Sequence, residues 1–115
     1  MSVSSPELTR RLVLEALERT PDGAGGYVDA WAALGSVWAQ VTAGSGRESA
    51  ADALPVSSVP YRVIVRSAPA GSPRRPRPDQ RFREGSRCFH ILAVADADAH
   101  GRYLTCFARE EEVST

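Results

Sequence analysis

The sequence predicts an all-β protein: a small single-domain β-barrel of about six to seven short strands with long loops and room for one short helix. Three observations carry this expectation. The segment 61–66 (YRVIVR) alternates as a half-buried strand does, with Tyr61, Val63 and Val65 on one side and Arg62, Ile64 and Arg66 on the other. Glycine and proline punctuate the chain at short intervals and leave little space for helix. The 115 residues, 43% hydrophobic and 24% charged, suit one globular domain over residues 1–115, with 1–7 as a polar arm and 110–115 as a flexible acidic tail.

The elements follow in order. Residues 8–20 satisfy two patterns, because LTRRLVLEALER is rich in helix formers after the start signal Ser5-Pro6-Glu7, while Leu12, Leu14 and Ala16 alternate as in a strand. Pro21-Asp22-Gly23 supplies turn chemistry. Residues 27–31 and 36–42 read as two strands separated by Gly35, and Trp31 and Trp38 read as core residues. A long loop over 43–60 precedes the clear strand at 61–66. Residues 67–78 (SAPAGSPRRPRP), with four prolines and a glycine, predict extended, solvent-exposed backbone. Short strands are expected at 81–83, 87–95 and 103–109, with turns at Gly85-Ser86 and 96–101.

Formal charge is zero but unevenly placed: residues 59–90 carry eight Arg against two acids, whereas the flanking segments are acidic. Segregated charge suits head-to-tail contact between copies or docking on a charged partner; equally, the segments fold back and neutralise one another. The stripe Arg74, Arg75, Arg77, Arg81, Arg83 and Arg87 is the strongest electrostatic feature. Only Phe82 and Phe89 lie close to it, too few for a stacking platform on nucleic acid, so a protein interface is the better expectation. Cys88, His90, His100 and Cys106 are the soft metal ligands but lack tight pair spacing, and the cysteines read as buried apolar residues. No nucleophile elbow or phosphate-cradling glycine loop is present, so no enzyme and no cofactor are expected. Two cysteines and no signal-peptide pattern make the cytoplasm the default, and the longest apolar run, 91–95, is too short to span a membrane.

Three stretches carry a resemblance: 35–50 (GSVWAQVTAGSGRESA), 61–67 (YRVIVRS) and 78–91 (PDQRFREGSRCFHI). Trp38-Ala39-Gln40-Val41 is followed by Ser45-Gly46-Arg47-Glu48, then by the strand ending in Arg66, then by Pro78 with Arg81, Gly85 and the apolar strand through Ile91. In order and spacing this set resembles the head-tail joining family, the head closure or stopper proteins of tailed phages and gene transfer agents. The resemblance implies a non-enzymatic neck protein that opens with a strand. It forms a ring, on the order of six or twelve copies, by closed heterologous contact with itself. That ring lies between the portal-adaptor and the tail terminator, helps retain packaged DNA with at most nonspecific contact to it, and docks the tail. Assembly would be cytoplasmic, the finished site the virion neck, with no membrane partner. Candidate inter-ring or channel-facing residues are Arg74, Arg75, Arg77, Arg81, Arg47 and Glu48, with Trp38, Gly46, Arg66, Pro78, Gly85 and Ile91 as structural motif positions. Residues 43–60 and 67–78 are the candidate mobile segments. The alternative is a small barrel of oligonucleotide-binding type holding single-stranded nucleic acid on the Arg-rich loop.

Overall fold

In the computed structural model, which describes residues 5–44 and 59–111, six antiparallel strands close into a barrel. They are β1 (Arg10–Pro21), β2 (Tyr27–Ala43), β3 (Pro60–Arg66), β4 (Arg81–Glu84), β5 (Arg87–Asp96) and β6 (Tyr103–Glu111). The order around the ring is β1-β2-β3-β6-β5-β4. Closure depends on a short pairing in which Val13, Leu14 and Glu15 of β1 oppose Arg83, Phe82 and Arg81 of β4. No helix occurs among the described residues. The helix-prone composition of β1 is overruled by its period of two, which sends Leu12 and Leu14 inward while Arg11 faces water.

Every strand supplies alternate residues to one core. Leu12, Leu14, Ala39, Val63, Val65, Phe82, Phe89, Ile91, Leu104, Cys106 and Ala108 are buried together. Tyr61 meets Phe89 edge-to-face, with ring centroids 5.1 Å apart. At one end the same inward register continues into charged residues: Arg10 pairs with Glu84, and Arg87 donates to Glu110 at 2.8 Å and to the Tyr61 hydroxyl at 3.2 Å. These pairs stop that end. The other end is covered by the β3–β4 connection, whose Pro76 is fully buried. The barrel interior is therefore packed rather than open.

Four sequence expectations change. Residues 27–31 and 36–42 belong to one long strand, because Gly35 lies within β2 at a bulge. There Leu14 opposes Gly35 and Glu15 opposes Ala33, leaving Leu34 as the extra residue. Gly35 has φ of +149°, a conformation glycine adopts without a steric penalty. The Arg-rich connection, expected to be extended, folds into turns, with Ser72 N donating to Pro69 O and Arg75 N to Ser72 O. It ends at Asp79 (φ +72°), whose N–H donates to Ile91 O at 2.9 Å. Trp38, expected in the core, is 58% exposed beside Arg11 on the outer face. Strand β6 runs through Glu111, two residues beyond its expected end.

Beyond the bulge, β1 and β2 pair only with each other, Ala16 through Pro21 lying opposite Ala32 through Tyr27. This two-stranded ribbon extends past the barrel. The turns β1–β2, β3–β4 and β5–β6 share its end of the barrel. Gly44 and Pro60, joined by a 2.7 Å backbone hydrogen bond, stand at the opposite end.

Candidate assembly surfaces

Glu15 follows Leu14 on the outward side of β1, the face where β4 presents Arg81 and Arg83, and the bulge in β2 brings Trp31 to that same face. Arg81 Nε donates to Glu15 Oε1 at 2.7 Å and Arg83 Nε to Glu15 Oε2 at 2.9 Å. Glu15 is only 5% exposed. Burial works to raise its carboxyl, and the hydrogen bonds from Arg83 and Arg81 outweigh that and hold it below the usual carboxylate range. Arg81 also stacks over the Trp31 ring, 4.2 Å from its centroid. One carboxylate, two guanidinium groups and one indole thus clamp the root of the ribbon to β4.

The ribbon's tip is organised by Asp22, whose Oδ1 accepts from the N–H groups of Ala24 at 2.7 Å and Gly26 at 3.0 Å. Those backbone bonds hold its carboxyl low. Along one face of the ribbon, Arg19 donates to Asp29 at 3.1 Å and lies over Tyr27. Leu17, Tyr27 and Val28 remain 51%, 65% and 52% exposed.

The arginine stripe does not stay together. Arg81 and Arg83 are held by Glu15, Arg87 by Glu110, and Arg75 donates to the Ala68 carbonyl at 2.8 Å. The Arg87 hydrogen bond is the main reason the Glu110 carboxyl is lowered, and the Arg10 hydrogen bond does the same for Glu84. Arg74 and Arg77 are the exposed members of the stripe and form no ion pair among the described residues. Arg47, Glu48 and Gly46 lie outside the described residues. Of the remaining motif positions, Arg66 ends β3 with its guanidinium over Tyr103, and Pro78 precedes the Asp79 kink. Ile91 is core beside the second bulge, and Gly85 (φ +60°) makes the two-residue β4–β5 turn at the position where a II′ turn requires glycine.

Cys106 points into the core, where burial pushes its thiol up to about 12. Cys88 lies on the opposite side of the sheet, near Arg83, and is raised by burial as well. Among the described residues no cluster of three or more His, Cys, Asp or Glu is placed to hold a metal. Sequence reasoning missed the ribbon and Glu15. The turn at Asp22-Gly23 between two alternating segments signalled a hairpin, yet nothing local signalled that its outer half would lack a third strand.

A closed, side-chain-filled barrel with several of its strand charges locked in pairs and a clamped ribbon carrying exposed apolar residues presents surfaces suited to assembly. The chain belongs to the phage head completion protein family, which it matches over residues 3–111. Family membership gives it a structural role in phage head–tail assembly. It is similar to a chain in the virion of a native gene transfer agent particle, with 53% identity and a TM-score of 0.76 over 96% of this chain and 100% of that one. It shares its fold with a Shigella flexneri 2a protein solved in solution, at 21% identity and a TM-score of 0.66 over 90% of this chain and 92% of that one. Among curated proteins none matches.

Proposed function

We propose that the chain is the stopper of a phage-like particle: a ring between the portal-adaptor and the tail terminator that helps retain packaged DNA and receives the tail. The observation that carries this reading is the 53% identity, over nearly the full length of both chains, to a component of a gene transfer agent virion. The fold is consistent with a mechanical rather than chemical role. Its ion pairs are used internally, while Arg74 and Arg77 stand at the barrel end from which the ribbon also leaves. In this reading copies associate head to tail and close into a ring. The exposed arginines face the acidic rim of an adjacent ring or the DNA emerging through it. The chain would assemble in the cytoplasm and finish in the particle neck. Particles from cells lacking the chain test this directly. The expected result is full heads and separate tails that fail to join, or heads that lose their DNA; normal tailed particles would overturn it.

A further inference from the structure

Besides Trp38 and Val59, the described surface exposes large apolar side chains on the ribbon and on the side of the barrel opposite it. In the ring order the β1–β2 pair is diametrically opposite the β6–β5 pair. The ribbon of β1 and β2 exposes Leu17 and Tyr27 on one face and Val28 on the other, while the outer face of β5 and β6 exposes Leu92 and Phe107 at 48% and 38%. The second patch exists because of a second bulge: the register slips between Ile91 and Ala93, which turns Leu92 out of the ladder and sets Ala93 opposite Phe107. The patches are also complementary in charge. Residues 16–32 hold three acids against one arginine, whereas Arg109 lies two residues from Phe107 on the same outer face and Arg62 of β3 stands opposite Phe107. An apolar, acidic projection on one side of a chain and an apolar face with basic neighbours on the other form a heterologous pair, which generates rings when the rotation closes.

We propose that the β1–β2 ribbon of one copy lies across the outer β5–β6 face of the next copy. This rests on the reading of the chain as a ring-forming neck protein and names the contact that builds the ring. The ribbon suits such a role physically. A two-stranded hairpin is marginal by itself, and this one is fixed at its root by Glu15 and Trp31 and at its tip by Asp22, so it meets a partner already shaped.

The test is a photo-crosslinking residue placed at position 27 of the full chain, and reciprocally at position 107, in particles assembled in cells. The expected product joins two copies, with position 27 mapping to residues 91–109 and position 107 to residues 16–32. A product joining position 27 to a different particle protein or to another surface of this chain would overturn the contact, as would particles containing the labelled chain but no chain-to-chain product. Whether the neck holds a closed ring of this chain is judged separately by electron microscopy, so the ring reading survives or fails independently. Tyr27→Asp and Phe107→Asp give a second measurement in purified protein whose fold is checked by circular dichroism. Each alone should weaken self-association about tenfold or more. Mixed, they retain one intact ribbon-to-face contact and should yield a heterodimer and nothing larger. A mixture that stays monomeric, or that forms full rings, would contradict the proposal.

Discussion

Among the described residues Glu15 is the one nearly buried acid, and both of its oxygens are taken by β4, which ties the root of the ribbon to the barrel wall. Replacing it with alanine leaves Arg81 without its carboxylate in a partly buried site. We expect Glu15→Ala to destabilise the chain by about 1–3 kcal/mol in urea denaturation, the range for a buried polar group that loses its partner. An unchanged midpoint would show that solvent replaces Glu15 at no cost. Glu15, Glu84 and Glu110 are all held below the usual carboxylate range, so the unfolded chain binds more protons than the folded one as acid is added. Their contribution is present in full above the ordinary carboxylate range and is lost as pH falls through their lower folded values. Stability measured by denaturation at pH 7 should therefore exceed that near pH 3, and the acid-dependent loss should shrink in Glu15→Gln. Nothing in the sequence singled out Glu15, because its partners are more than sixty residues away and reach it only when β4 closes the barrel against β1.

At the scale of elements, β3 was legible because one face packs and the other is wet, so its alternation appears in the sequence. Strand β1 was ambiguous from the residues, since its helix formers and its alternating leucines point to different structures, and tertiary pairing on both edges decides for the strand. Gly35 punctuates the sequence as a break would, yet it sits beside a bulge inside β2: glycine marks both, and the sequence pattern is the same. Its φ of +149° makes a direct prediction. Gly35→Ala should cost about 1–3 kcal/mol from backbone strain even though open space surrounds the position. A melting temperature equal to that of the parent chain would mean that the bulge relaxes. The Arg-rich connection was misread for a related reason. Proline content excludes ladder pairing, but it does not exclude a turn-built cap whose Pro76 fills the mouth of the barrel.

At the scale of the whole molecule, the charge segregation along the chain does not survive folding. The basic middle supplies Arg81, Arg83 and Arg87, and acids from the two ends, Glu15 and Glu110, neutralise them across the barrel wall. Of the six-arginine stripe, Arg74 and Arg77 alone combine exposure with the absence of a side-chain partner among the described residues. That count sets an expectation for nucleic acid. For single strands each neutralised phosphate contributes about 0.7 to the slope of log affinity against log salt, so two available arginines give a slope of about −1.4 per protomer. Titration of the purified chain with a single-stranded oligonucleotide should show weak binding and a slope this shallow, with Arg74→Ala combined with Arg77→Ala removing most of it. A slope several times steeper would require further arginines to contact the strand, either the paired ones by abandoning their carboxylates or exposed ones outside the stripe such as Arg11 and Arg102. That would restore the oligonucleotide-binding reading that the stripe suggested before the fold divided it.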